Sequence, residues 1–412
     1  MLAHCSWRGN IREFAFEQLW SAIADIGRDP TTGGYRRFAW TEADLSMREW
    51  FSGQCAARGL DLIEDRMGNQ WAWWGDPDRS TTGGIATGSH LDSVPDGGAF
   101  DGPLGVVSGL LAIDQLRANG YAPRRPIAVV NFVDEEGARF GVSCAGSRVI
   151  TGVLSADRAR ALRDADGVTM AEAMRAAGRQ PYQLGPDPET LARVGAFVEL
   201  HVEQGRGLID RGRAVGVGSR LWAHGRWRIE IPGEANHAGT TRLSDRRDAV
   251  IGCARAVLLT RAAAEAHGSL ATIGKISIQP GGVNAIASSA TAWLDARAAD
   301  EPALRATVAQ IEEEVGSSGA VVTEESRTPQ TPFDDDLVSR LAKLLDDAPV
   351  MSSGAGHDAG ILANAGVRAA MIFVRNPTGV SHSPAEWAEP EDCIAGVAAL
   401  ATVLADLAGA EQ

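Results

Sequence analysis

The sequence predicts an α/β protein whose parallel sheet is interrupted by a smaller α+β domain, and three observations carry that reading. An apolar strand, IATGSHL, is followed by an apolar helix at about 104–118 and the β-branched run IAVVNFV (127–133). Strand, helix and strand in that order form a βαβ unit of a parallel sheet. From about residue 219 the pattern changes: LWAHGRWRIEIPG alternates, a helix follows at 246–266, then strands near 270–279 and 290–298, a helix at 302–316 and a strand at 319–325. This β-α-β-β-α-β order predicts a ferredoxin-like domain with one solvated sheet face. Beyond SRTPQTPFDDD, α/β character returns with the strand RAAMIFV (368–374) and a helix at about 391–408. The expected domains are therefore 1–219 with 331–412, and an insert at 220–330.

The remaining elements follow in order. IREFAFEQLWSAIADI (12–27) has apolar residues at helical spacing, and a second helix is expected over roughly 41–58, with Thr41 as its cap and Asp44 in its first turn. Residues 155–195 alternate short helices and loops. AFVELHVEQG (196–205) is an apolar strand that ends in charged residues.

At 412 residues the chain can bury two separate cores. Its 44% hydrophobic and 22% charged content is that of a soluble globular protein, and it lacks an apolar run of the roughly 18 residues that would span a bilayer. The start, MLAHCSWRGNIREF, has neither a basic region nor an apolar core, so no secretory signal is expected and the cytoplasm is the predicted location. Cys5, Cys55, Cys144, Cys253 and Cys393 are scattered without a CxxC pair and read as reduced, packed thiols. A net charge of −14 argues against nucleic acid or anionic membranes as partners.

Chemistry is concentrated at strand ends. His90 and Asp92 are two residues apart, so on an extended chain they point the same way, and Asp92 can orient either the His90 ring or a neighbouring group. Asp101 stands in a Gly-rich turn where it could equally cap the helix that follows. Glu135 and Glu136 are adjacent carboxylates after a buried strand, which repel unless a cation or solvent compensates. Glu199, His201 and Glu203 alternate on one strand face, and His382 follows the last strand within GVSHSPAEW. Each has a plain structural reading alone. Their joint position at strand ends of one α/β domain favours a metal site with nitrogen and oxygen ligands.

GSHLDSVPDGGAFDG, VDEEGARFG, ELHVEQG, GEANHAGTT, GGVNAI, DARAAD, GAGHDA and GVSHSPAEW, in this order, resemble the amidase/hydantoinase/carbamoylase family. This is a branch of the metallopeptidase superfamily that also holds aminoacylases and carboxypeptidase G-type enzymes. The resemblance runs from about residue 12 to the C-terminus. It implies a di-metal exopeptidase-like domain, a mixed sheet flanked by helices, with the insert acting as lid and homodimerisation domain. It implies two divalent metal ions, zinc first and manganese, cobalt or nickel also acceptable: His90 and His201 on one, Glu136 and His382 on the other, Asp101 bridging. Glu135 becomes the general base and Asp92 the partner of His90. His237 becomes the oxyanion-stabilising histidine that reaches the other subunit. Gln204, Asn284, Arg297 and the Gly354–Gly356 loop, Gly356 in particular, become substrate-binding, with His357 and Asp358 lining the pocket or capping.

The expected activity is hydrolysis of the terminal carbamoyl C–N bond of a small carboxylate substrate, allantoate or an N-carbamoyl-L-amino acid, releasing ammonia and carbon dioxide. A dipeptidase or aminoacylase is a second possibility, against which His201 counts, since peptidase relatives tend to carry an acid there. A non-catalytic metal-dependent binding protein is a third, and it would have no use for Glu135 as a spare base.

Overall fold

The computed structural model describes residues 3–410. Cys5 lies outside the residues whose side chains are described, while Cys55, Cys144, Cys253 and Cys393 are free and buried. Two compact units form: one runs up to Ser219, takes in Pro332–Met351 and resumes from His357, and the other is Arg220–Thr331 with Ser352–Gly356. The second unit takes in Thr331 and the five-residue return Ser352–Gly356, whereas the expected boundary placed 331–412 in the first. No helix among the described residues is long and apolar enough to cross a membrane.

The first unit is built on a mixed sheet. Its strands run in the spatial order Asp61–Glu64, Gln70–Trp74, Ile127–Phe132, Gly84–His90, Val194–Val202, Ala369–Val374, Val215–Leu221 and Thr331–Pro332, with Val350–Ser353 paired to Val215–Leu221. The four central strands, Ile127–Phe132, Gly84–His90, Val194–Val202 and Ala369–Val374, are mutually parallel. Helices cover both faces of such a sheet, so its strands read as continuous apolar runs, and all four are almost wholly buried. Their carboxyl ends share one edge, where His90, Glu135, Glu136, His201 and His382 emerge.

The helix Pro103–Ala118 connects two of these strands and is almost entirely buried. A Cβ at Gly105 would strike the Leu200 carbonyl, so glycine sets how closely this helix packs on the strand that carries His201. The C-terminal helix Pro390–Ala408 packs against it.

Two details of the N-terminal region differ from expectation. The first helix spans Ala3–Ile23, beginning and ending earlier than 12–27. Thr41 does not cap the helix Glu42–Ala57 with its side chain; its hydroxyl donates to Phe38 O, and Asp44 instead accepts from Trp40 N at 2.8 Å.

In the second unit the antiparallel sheet has the order Val321–Thr328, Ala223–Pro232, Ser289–Ala298, Leu270–Gln279. The helices Ala249–His267 and Glu301–Gly316 pack on it. Alternation along Ala223–Pro232 sends Trp227, Ile229 and Ile231 into the core and leaves His224, Arg226 and Arg228 on the other face.

Candidate active site

His90 ends its strand, and its register partner on the neighbouring strand is Phe132, two residues before the turn that presents Glu135 and Glu136. His201 lies opposite Phe373 on the next strand pair. Asp134 and Cys144, which bracket the Glu135–Glu136 turn, and His382 itself have positive φ values of 53°, 53° and 55°. Left-handed backbone at non-glycine residues costs of order 1 kcal/mol or more each and marks loops held by their surroundings.

Tautomers follow from the hydrogen bonds. Nδ1 of His90 lies 3.1 Å from the Asp92 backbone carbonyl, and Nδ1 of His201 lies 2.9 Å from that of Val202. A carbonyl only accepts, so each ring carries a proton on Nδ1 and turns Nε2 toward Asp101. Both Nε2 atoms are buried without a hydrogen bond. Asp101 Oδ1 nevertheless stands 3.5 Å from His90 Nε2 and 3.2 Å from His201 Nε2, while its other oxygen, Oδ2, stands 3.4 Å from His382 Nε2. Glu136 Oε1 is 3.5 Å from the same His382 atom, and Glu135 Oε2 is 3.7 Å from His90 Nε2.

Those separations are informative. Ligand bonds of about 2.0–2.2 Å at tetrahedral angles hold neighbouring ligand atoms roughly 3.3–3.6 Å apart. Imidazole nitrogens and carboxylate oxygens that converge at this spacing, with neither Nε2 hydrogen-bonded, suit a cation. Four groups among the described residues could hold a metal ion: His90 with Asp101 and His201, Asp101 with Glu136 and His382, His90 with Glu135 and Glu136, and Glu199 with His201 and His357; the first two share Asp101 through its two different oxygens.

The electrostatics agree. Burial pushes Glu135 well above the ordinary carboxylate range and Glu136 up to about 7, with Asp101 adding to the latter. Asp134, buried with neither carboxylate oxygen hydrogen-bonded, is also pushed well up, by burial and then by Asp92. Burial would raise Asp101 too, but His201, His382 and His90 pull it well below its usual value. Burial likewise opposes the charged form of His90, yet Glu135, Asp101 and Asp92 outweigh it and raise that ring. So many buried carboxylates must bind protons or cations to remain folded.

Asp92 sits beside the His90 ring, with Oδ1 3.4 Å from Nδ1, but its carboxylate is committed elsewhere: it accepts from Glu135 N and Glu136 N, both at 3.1 Å. It therefore fixes the backbone of the acid pair. Asp101 does not cap the following helix, whose first position is Pro103 and whose cap residue, Gly102, has φ of 85°. A Cβ at Gly102 would run into the His90 ring. Gln204 donates its amide to Asp101 Oδ2 at 2.8 Å.

The second unit carries the other four residues. His237, exposed, pairs with Ala285 in a two-stranded ribbon, and Ala238 N donates to Asn284 O at 3.0 Å, so His237 and Asn284 lie together. Arg297 donates from Nε and Nη2 to the two Asp295 oxygens at 2.7 and 3.1 Å, and from Nη1 to Gly354 O at 2.9 Å. It is thus joined to the loop that holds Gly356. His357 is buried with its ring 4.5 Å from that of His201, and Asp358 accepts from Ser147 Oγ.

Sequence reasoning gave several groups here no specific role. Cys144 Sγ donates to Glu135 Oε1 at 3.2 Å. Glu199 accepts from Ser89 Oγ and Ala359 N, and Glu203 from Gly207 N and Leu208 N, so the acids flanking His201 brace its surroundings. Ser381 and Glu386 both bear on Asp101, and their only signal was adjacency to His382 in GVSHSPAEW.

The model of the peptidase family M20/M25/M40 matches residues 86–406. The chain is 35% identical to an N-carbamoyl-L-amino acid amidohydrolase of Geobacillus stearothermophilus, over 96% of this chain and 99% of that one. It is 33% identical to the allantoate amidohydrolase of Escherichia coli K12, over 96% and 98% respectively. The crystal structure of a hydantoinase/carbamoylase family amidase from Burkholderia vietnamiensis superimposes with a TM-score of 0.87 at 30% identity, covering 95% of this chain and 97% of that one. With the family model spanning most of the chain and these relatives matching nearly end to end, the chain belongs to the peptidase family M20/M25/M40, in its hydantoinase/carbamoylase branch, and is an amidohydrolase.

Proposed function

We propose that the chain is a two-metal amidohydrolase that removes the terminal carbamoyl group from a small ureido carboxylate, allantoate or an N-carbamoyl-L-amino acid, releasing ammonia and carbon dioxide. The observation that carries this reading is the division of Asp101, with Oδ1 facing His90 and His201 and Oδ2 facing His382. One divalent cation is assigned to His90, His201 and Asp101, the other to Asp101, Glu136 and His382. Zinc is the first choice, and manganese, cobalt and nickel also suit this donor set. When bound, such a pair polarises the ureido carbonyl and acidifies water.

Within that frame Glu135 takes the proton of the attacking water on Oε2 and returns it to the leaving nitrogen. Its burial keeps it basic enough for the task. Asp92 holds Glu135 and Glu136 in place through their N–H groups. His237 is assigned to the developing oxyanion in the partner subunit of a homodimer, and Gln204, Asn284, Arg297 and Gly356 to binding the substrate, whose carboxylate a guanidinium fits. Support for a dimer comes from the second unit: the edge strand Leu270–Gln279 exposes Leu270, Ile276 and Ile278, and the helix Ala249–His267 exposes Ile251 and Leu258. The second unit then serves as lid and dimerisation domain. The free, buried thiols suit a cytoplasmic enzyme.

The test is ammonia release by purified protein reconstituted with each metal, offered allantoate and a panel of N-carbamoyl-L-amino acids. Free amino acid as product assigns a carbamoylase, and ureidoglycine or glyoxylate an allantoate enzyme. A chelator should abolish turnover and added metal restore it. Cleavage of dipeptides or N-acyl amino acids without ureido turnover would move the reading to an aminoacylase, and tight substrate binding without any turnover to a binding protein.

A further inference from the structure

Glu386 is absorbed by none of the roles above, yet it is 4% exposed and lies against the turn that aims Asp101. Its Oε1 accepts from Phe100 N at 2.7 Å and from Asp101 N at 2.9 Å, across 285 residues of sequence in the latter case. Its Oε2 accepts from Ser381 Oγ at 3.0 Å, and that same hydroxyl stands 2.9 Å from Asp101 Oδ2. A hydroxyl has one proton, so Ser381 is shared between the two carboxylates. Gly98 faces the Glu386 carboxyl so closely that a Cβ there would collide with it. The acid is therefore seated in a fitted niche.

Two consequences follow from where these bonds lie. The direction of the Asp101 side chain is set by the backbone at residues 100–102, and Glu386 grips two of the three N–H groups there. The short segment from Ser381 to Glu386 also delivers His382, so the loop that supplies one imidazole also braces the carboxylate facing it. The effect falls on Oδ2, which meets His382, Ser381 and Gln204, whereas Oδ1 meets the strand-borne His90 and His201.

We infer that Glu386 is a positioning residue for Asp101, and that the ion assigned to Asp101, Glu136 and His382 depends on it far more than the ion assigned to His90, His201 and Asp101. This rests on the two-ion reading. The decisive measurement is stepwise binding of Zn2+ to metal-free protein in competition with a chromogenic chelator, together with the melting temperature of each metal-free variant.

Wild-type protein should bind two ions. Glu386→Ala should weaken one of them by roughly 10–100-fold and leave the other within about threefold, the range usual for groups that orient metal ligands. Glu386→Gln should stay near wild type, because its amide oxygen still accepts from Phe100 and Asp101 while its amide nitrogen donates to Ser381, freeing the hydroxyl proton for Asp101. Should Glu386→Ala not fold without metal, Ser381→Ala carries the test, since it removes only the hydroxyl between the carboxylates and should weaken the same ion. Two ions bound by the variants as tightly as by wild type, or both ions weakened equally in every variant, would overturn the inference. A wild-type protein that binds fewer than two ions would instead overturn the two-ion reading, and the inference with it.

Discussion

The two units present polar side chains in opposite ways. In the first, His90, His201, Asp101 and Glu135 are buried at the ends of parallel strands, and backbone groups set their orientation: carbonyls fix both rings, and Asp92 holds the N–H groups of the acid pair. In the second, His237 and Asn284 are exposed on a two-stranded ribbon, and Arg297 is half-buried on the outward sheet face, held by Asp295 and Gly354. A buried polar cluster has no water to replace a lost member, whereas exposed groups can be partly replaced by solvent. The contrast predicts steep losses in the first unit and shallow ones in the second.

The steepest is Glu135→Gln, expected to lower kcat by roughly 10²–10⁴-fold, the usual worth of a general base, with metal content by mass spectrometry unchanged. Full activity would remove Glu135 from the chemistry. Gly102→Ala comes next: it places a side chain at φ of 85° and against the His90 ring, so urea unfolding of the metal-free protein should show a loss of about 1–3 kcal/mol. An unchanged midpoint would mean that the ring has room to move.

The raised Glu136 predicts a pH effect whose sign can be worked out. Its pKa of about 7 leaves it protonated below that pH in the metal-free protein, and an incoming cation must displace the proton. The affinity for the Zn2+ ion assigned to Asp101, Glu136 and His382, measured by competition, should therefore fall by about tenfold per unit below about pH 7. A flat profile from pH 5 to 8 would exclude Glu136 as a ligand. In the second unit, Arg297→Lys should raise KM by roughly tenfold with kcat within about threefold, because a lysine cannot reproduce a two-pronged contact. Equal losses in kcat and kcat/KM would place Arg297 in transition-state stabilisation instead. The smallest effect belongs to Glu265→Ala, which removes an exposed helix ion pair with Arg261 and should shift stability by no more than about 0.5 kcal/mol.

What could be read from the sequence follows the same division. His90, Asp101, Glu136, His201 and His382 were legible because each stands at the end of an apolar run or in a glycine turn beside one. The hairpin strand Gln70–Trp74 was not, because QWAWW is buried along most of its length and lacks the alternation that marks a half-exposed strand. Asp92 was placed beside the correct ring, but its choice of the Glu135 and Glu136 N–H groups depends on how two strand ends meet in space. Glu386 reads in sequence as an ordinary surface acid before a tryptophan; its partners are backbone amides at Phe100 and Asp101, which carry no residue-type signal.

The junctions between the units have a practical meaning. The chain changes unit at Ser219–Arg220, at Thr331–Pro332, at Met351–Ser352 and again at Gly356–His357. An excised cassette of residues 220–331 would lack Gly354, the carbonyl acceptor of Arg297, and also Ser352 and Ser353, which meet the Trp222 indole and backbone N–H groups. Recombination between relatives that exchanges only the long insert would thus transplant Arg297 with Asp295 but without the Gly354 carbonyl. A chimera intended to move substrate preference should carry the five-residue peptide Ser352–Gly356 along with it.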